Sequence, residues 1–248
     1  MPDGNVEFYD KCADFYDVLH GERHEEFDFY RHYVPASSHV LEIACGSGTL
    51  TDVLLETAAS VTGIDASVAM LDRARQRVPG ARFIKADMRS FDLGMQFDTV
   101  LCPFNSLMHL SPHDSLTALS AFAAHCTDAG QVIIDVSNVD DRFLSPSTPE
   151  QIISRFSDVP SGRNLCGWER SEYDRPNRLL SVHWRVEDAE TGETVAASSY
   201  TQRILSSGEL DRLLESAGLR PVDKFGTYGR TPFGPGCPRQ LFVAQPLR

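Results

Sequence analysis

The sequence predicts an α/β fold: a seven-stranded, mostly parallel sheet with helices on both faces, plus a small inserted antiparallel sheet. Three observations predict it. Five short apolar runs, near 39–44, 60–65, 81–86, 97–102 and 130–136, alternate with helix-patterned segments; that alternation marks parallel strands joined by crossover helices. After Asp135 the pattern changes to partly alternating apolar and polar segments separated by turn residues, as in an antiparallel sheet. A last helix and two further apolar runs then complete the main sheet.

Taken in order, residues 6–34 are amphipathic and rich in aromatics, among them Phe8, Tyr9, Phe15, Tyr16, Phe27, Phe29, Tyr30 and Tyr33. They read as two short helices broken near Gly21. Pro35-Ala36-Ser37-Ser38 leads into the first strand. Helices start near Gly48, Ser67 and Pro112, with Ser67 as an N-cap and Gly130 as the stop after the last of them. Residues 140–148 form a polar, proline-containing stretch. Strands follow at 165–173, 178–187 and 194–204, with turns at 174–177 and 188–192. A helix over 207–216 stops at Gly218, and strands near 219–228 and 239–244 end the fold. The expected organisation is therefore N-terminal helices and a ligand-binding core over 1–140, the inserted sheet over 141–205 as a substrate or dimer lid, and a return to the core over 206–248.

Composition narrows the function. At 248 residues, 42% hydrophobic and 23% charged, the chain can bury a core of ordinary size. No apolar run is long enough to span a membrane, and Met1-Pro2-Asp3-Gly4-Asn5 does not look like a signal peptide. The six cysteines are scattered without metal-ligand spacing; reduced thiols in a cytoplasmic enzyme are expected rather than disulfides or zinc. His20 and His24 lack an apparent third ligand, so no metal is expected. The net charge of −12 with no basic cluster argues against a nucleic-acid partner and for a small-molecule substrate.

The most informative stretch runs from Val40 to Thr49: apolar residues with Glu42 among them, then Ala44-Cys45-Gly46-Ser47-Gly48. Glycines here let the backbone approach a ligand. Asp65, ending the next strand, is placed to accept both hydroxyls of a ribose. The unit reads as a nucleoside-binding βαβ. A dinucleotide site wants a third glycine where Thr51 stands, and Glu42 would repel a diphosphate. It suits a cationic ligand carrying an ammonium and a sulfonium, which favours S-adenosylmethionine.

At these residues the chain resembles the class I S-adenosylmethionine-dependent methyltransferases, whose fold is Rossmann-like. Ala44 replaces the first glycine of that family's first motif, while Gly46, Gly48 and Asp65 match it. Lys85-Ala86-Asp87-Met88-Arg89 is similar to its adenine-binding segment, and Phe97 to Cys102 to its fourth strand. The inserted sheet resembles the small-molecule branch that includes sugar N-methyltransferases. The resemblance implies a methyl acceptor that is a small, secondary-metabolite O, N or C nucleophile. Two alternatives stay open: a non-methylating cyclase that keeps the cofactor on the same scaffold, and an NAD(P)-dependent oxidoreductase.

The expected cofactor contacts are Tyr16, Glu42, Ala44, Gly46, Gly48, Asp65, Ala66, Met70, Asp87, Met88 and Cys102. Glu42 meets the ammonium, Asp65 the ribose, and Asp87 with Met88 the adenine. Asp87 also reads as an ordinary turn carboxylate, and Met88 as core. The segment Cys102-Pro103-Phe104-Asn105 follows the fourth strand, where open parallel sheets bind ligands. It is not the Asn/Asp-Pro-Pro-Tyr of amine-orienting relatives. His109 is the candidate general base, weighed against a packing role. Tyr9, Asn105, Trp168 and His183 are the candidate acceptor contacts, and alternation predicts that His183 and Arg185 share a face opposite Trp184. A homodimer through the inserted sheet is a further expectation.

Overall fold

The computed structural model describes residues 3–21, 23–140 and 144–247. Residues 141–143 of the expected polar stretch, the expected boundary at 141, and Met1 and Pro2 lie outside them. The chain divides into two compact units. Of the described residues, 23–139 and 205–247 make the first, and 3–21, 140 and 144–204 make the second.

The first unit holds a seven-stranded sheet. Its strands are β1 (His39–Ile43), β2 (Ser60–Asp65), β3 (Arg82–Lys85), β4 (Phe97–Cys102) and β5 (Cys126–Ser137), followed near the end of the chain by β10 (Leu219–Phe225) and β11 (Arg239–Pro246). The spatial order is β10-β11-β5-β4-β1-β2-β3. Pairings of β1 with β2 and β4, of β2 with β3, and of β4 with β5 are parallel; β11 runs antiparallel to both β5 and β10. The order reverses at β1 and β4, which makes their carboxyl ends the switch point where ligands bind in open sheets.

The connecting helices are α3 (His24–Tyr33), α4 (Thr49–Leu55), α5 (Val68–Arg77), α6 (Pro112–Ala124) and α7 (Ser207–Ser216). Right-handed crossovers place α4 and α5 on one face and α6 on the other. Phe29 and Tyr30 of α3 and Leu50 and Leu54 of α4 pack on Val40, Val61, Leu101, Ile133, Leu241 and Val243 of the sheet, all buried. The N-caps follow sequence rules: Ser67 accepts from the Met70 amide, Ser111 from Asp114 and Ser206 from Glu209.

One punctuation signal is corrected. Gly130 does not stop a helix. The helix α6 ends at Ala124, and Gly130 lies inside β5, where an added Cβ would stand 2.7 Å from the Asp98 carbonyl oxygen. Close strand approach, not helix termination, requires the glycine here.

The second unit holds an antiparallel sheet of four strands, one more than the alternation predicts: β6 (Gln151–Asp158), β7 (Arg163–Asp174), β8 (Leu179–Asp188) and β9 (Thr194–Arg203), in that order. The pattern of β6 is blurred because Ile152 and Ile153 are adjacent and both half-buried. The segment before Gly21 forms two helices, α1 (Asp3–Cys12) and α2 (Tyr16–His20), which with α3 makes three helices where two were expected. Both belong to this unit rather than grouping with the core, because Phe8 and Cys12 of α1 bury themselves against Val182 and Trp184 of β8.

Candidate functional site

In the first unit, β1 carries Glu42 into the interior, where it is only 1% exposed. Thr51, in the first turn of α4, donates its hydroxyl hydrogen to Glu42 Oε2 at 2.5 Å. Burial pushes the Glu42 carboxyl up to about 8; the Thr51 hydrogen bond opposes the rise and the neighbouring Asp65 adds to it.

The loop after β1 alternates: Ala44, Gly46 and Gly48 have φ of 54°, 55° and 78°. Side chains rarely adopt this region, which explains two of the three residue choices. A Cβ on Gly46 would meet nothing within 4 Å, so the loop faces open space there. A Cβ on Gly48 would stand 3.1 Å from Ala74 Cβ, so this glycine also lets α5 approach. Asp65, at the carboxyl end of β2 and 7% exposed, braces the loop: its Oδ2 accepts from the Gly46 amide at 2.9 Å and its Oδ1 from the Ser67 amide at 2.8 Å. Ala66 is half-buried beside it, and Met70 is buried on α5. Glu42, Ala44, Gly46, Gly48, Asp65 and Ala66 therefore gather at the carboxyl ends of β1 and β2.

Asp87 follows β3 and is held by Arg89, whose Nε, Nη2 and backbone amide all donate to its carboxylate at 2.7–3.1 Å. Burial acts to raise its pKa, but the Arg89 hydrogen bonds win and keep the carboxyl well below the usual range. Met88 beside it is buried.

Cys102 ends β4, fully buried, and burial pushes its thiol pKa up. Phe104 and Asn105 follow with φ of 54° and 67°. Asn105 Oδ1 accepts from the amide of Ser137 at 2.7 Å and from its hydroxyl at 3.1 Å. A short 3-10 helix, Ser106–His109, then carries His109, which is 4% exposed.

Sequence reasoning missed the group behind this turn. Asp135 on β5 is fully buried and shared by five donors. Its Oδ2 accepts from Tyr30 Oη at 2.7 Å, Tyr228 Oη at 2.9 Å and the Phe104 amide at 3.2 Å. Its Oδ1 accepts from Arg239 Nε at 3.0 Å and from Arg239 Nη2. Burial first, then the Asp135 charge, raises the pKa of both tyrosines, so they stay neutral donors. The signal was available: an acid inside Val132-Ile133-Ile134-Asp135-Val136 must be paired if it is buried.

The remaining expected residues lie in the second unit. Tyr9 and Tyr16 have ring centroids 5.6 Å apart, and Tyr16 also lies 6.1 Å from the Trp184 ring and 4.2 Å from the His20 ring. Register places Trp168 opposite Arg185, and His183 opposite Arg170. Trp168, His183 and Arg185 thus share one face, while Trp184 points to the other, where its Nε1 donates to Glu169 at 2.8 Å. The Arg185 guanidinium lies 5.1 Å over the Trp168 ring. Trp168 Nε1 and His183 Nε2 are buried with no hydrogen-bond partner among the described residues.

Residues 40–130 match a methyltransferase domain family. The chain is 27% identical to a dTDP-3-amino-3,6-dideoxy-alpha-D-glucopyranose N,N-dimethyltransferase of Streptomyces fradiae, over 97% of this chain and 93% of that one. It is 28% identical to a dTDP-4-amino-2,3,4,6-tetradeoxy-D-glucose N,N-dimethyltransferase of Saccharopolyspora spinosa, over 93% and 91%. The CcbJ methyltransferase of Streptomyces caelestis shares the fold with a TM-score of 0.82, 21% identity and coverage of 97% and 98%. So does the amino pentose methyltransferase CalS10 of Micromonospora echinaspora, solved with S-adenosylmethionine bound, with a TM-score of 0.70, 24% identity and coverage of 92% and 93%.

Proposed function

The chain belongs to the class I S-adenosylmethionine-dependent methyltransferases, and we propose that it methylates the amino group of a nucleotide-linked amino sugar. The observation that carries the acceptor is the near full-length similarity to two dTDP-amino-sugar N,N-dimethyltransferases. A methyltransferase domain match over residues 40–130 also weighs against the oxidoreductase alternative.

The residues at the ends of β1 and β2 fit the cofactor. The Gly46 turn leaves open space where a side chain would stand. The two buried acids beside it, Glu42 and Asp65, suit a cationic ligand, whose charge favours loss of the proton that burial keeps on Glu42. In this reading Glu42 receives the ammonium through the loop or through water. Asp65 accepts from the ribose hydroxyls while bracing the loop through the Gly46 amide. Ala44, Ala66, Met70, Met88 and Cys102 supply the walls. Asp87 acts through its turn with Arg89, since that arginine occupies both of its carboxylate oxygens.

S-adenosylmethionine supplies a methyl group on an activated sulfonium. The protein's part is to hold the acceptor nitrogen in line with it, which removes much of the entropic cost. An amino sugar is largely ammonium at neutral pH and must lose a proton before it can attack. His109, four residues after the strained Phe104–Asn105 pair, is the assigned proton acceptor; histidine's ordinary pKa of about 6.5 suits that task.

The test is to incubate the protein with S-adenosylmethionine and dTDP-3-amino-3,6-dideoxy-α-D-glucopyranose. The expected result is S-adenosylhomocysteine formation, with the sugar nucleotide gaining one and then two methyl masses. Cofactor binding without turnover of any amino-sugar nucleotide would reject the acceptor and leave the family unaffected.

A further inference from the structure

We propose that Asp135 is a positioning residue for methyl transfer, fixing the Phe104–Asn105 turn at the end of β4 and the Tyr228 wall of a cavity beside α3. The inference rests on the methyltransferase reading above.

The argument starts from strain. Phe104 and Asn105 are successive non-glycine residues in the left-handed region. Such residues persist only where the surroundings over-determine them, and they cluster at active sites. This pair follows β4 at the switch point of the sheet, where ligands bind. The structure holds it from β5 at both backbone amides and at the Asn105 side chain. Asp135 Oδ2 accepts from the Phe104 amide at 3.2 Å, and the Asp135 carbonyl accepts from the Asn105 amide at 3.0 Å. Ser137 closes on the Asn105 side chain. Arg239 ties the two anchors together, donating to Asp135 and, at 2.8 Å, to Ser137 Oγ.

Stability alone is a poor reason for this arrangement. Val132, Ile133, Ile134 and Val136 around Asp135 are buried apolar residues. A buried ion pair is often no better than apolar side chains of the same volume. Geometry is what it provides, and it provides it in two places. Tyr228, fixed by its hydroxyl on Asp135, lines a cavity of about 390 Å³ together with Glu25, Asp28 and Arg230. One carboxylate thereby sets both the turn after β4 and a wall of that cavity.

The experiment compares the full chain with Asp135→Asn and Tyr228→Phe by three readouts: calorimetry with S-adenosylhomocysteine, hydrogen exchange at the Phe104 and Asn105 amides with and without it, and steady-state kinetics on the sugar nucleotide named above. Both variants should keep S-adenosylhomocysteine affinity and the KM for S-adenosylmethionine within about threefold. The kcat should fall at least tenfold in Asp135→Asn and at least threefold in Tyr228→Phe, with the two amides exchanging faster in both. Unchanged kcat, or a loss of S-adenosylhomocysteine affinity equal to the loss of kcat, overturns the inference. Should Asp135→Asn not fold, Tyr228→Phe, which keeps the ion pair, carries the same readouts. Should the wild type not accept the sugar, the acceptor assignment fails, and exchange still decides here. S-adenosylhomocysteine must slow the Phe104 and Asn105 amides in the wild type and slow them less in Tyr228→Phe; no slowing in the wild type overturns the inference.

Discussion

Thr51 hydrogen-bonds Glu42 inside the first unit, so the residue that takes the place of a third glycine is the one that satisfies the buried acid. A glycine there would leave Glu42 Oε2 without that donor, and an unmade hydrogen bond to a buried carboxyl costs roughly 1–3 kcal/mol.

That relationship sets a pH dependence. The folded pKa of Glu42, about 8, lies above its ordinary value of 4.5. The native state therefore holds a proton that the unfolded state has released, and stability falls as pH rises from about 4.5 to 8, with a slope of up to about 1.4 kcal/mol per pH unit. Denaturant melts of the ligand-free protein should show this loss between pH 5 and 8. Glu42→Gln should flatten it. Parallel curves for the two proteins would mean that Glu42 is ionised in both states.

Asp65 should control cofactor affinity. It supports the loop through the Gly46 and Ser67 amides and lies where the ribose is assigned. Charge-assisted hydrogen bonds are worth roughly 1.5–3 kcal/mol each. Asp65→Ala should weaken S-adenosylhomocysteine binding at least tenfold by calorimetry. Binding at wild-type strength would remove the strand end from the site.

Ala44 should be a stability weakness. Its φ of 54° costs an alanine about 1–2 kcal/mol, of which glycine's extra freedom in the unfolded chain returns about half. Ala44→Gly should therefore stabilise the protein by about 0.5–1 kcal/mol, a rise of a few degrees in Tm. A lower Tm would show that the alanine methyl packs usefully. The opposite sign is expected at Gly130. Gly130→Ala puts a methyl 2.7 Å from the Asp98 carbonyl oxygen in the middle of a sheet, and overpacking of that kind costs about 1–3 kcal/mol.

These cases show what was legible in the sequence. The parallel strands and the glycine turn announce themselves because each is a local pattern: an apolar run, a capping serine, an acid at a strand end. Ser67 could be read as a cap from its neighbours alone, and the structure places its hydroxyl on the Met70 amide. The Asp135 group could not be read that way. Its donors come from α3, the turn after β4, the segment after β10, and β11, as many as 105 residues from Asp135 in the chain, and only the folded sheet brings them together. Gly130 was misread because glycine after a helix has two physical uses, and the space beside it decides between them. The strand β6 escaped because its two adjacent isoleucines break the alternation that identifies a half-buried strand.

His109 carries the last prediction. It sits in the short helix that follows the Phe104–Asn105 turn, and it is 4% exposed. A buried histidine can serve the acceptor or the core, and the two roles separate cleanly. If it takes the proton from the acceptor, His109→Ala should lower the chemical step by roughly 10²–10⁴-fold. S-adenosylhomocysteine affinity should stay near wild type, and the acidic limb of the pH–rate profile should vanish. His109→Gln can fill the space and form a hydrogen bond but cannot take up a proton at neutral pH. It should restore Tm and leave the rate low. If His109 only packs, His109→Gln should restore both, and the acidic limb should persist in both variants. Persistence of the limb together with full activity in His109→Gln would sink the assignment and pass the search to another ionising group, with Tyr16 and His183 the next residues to replace.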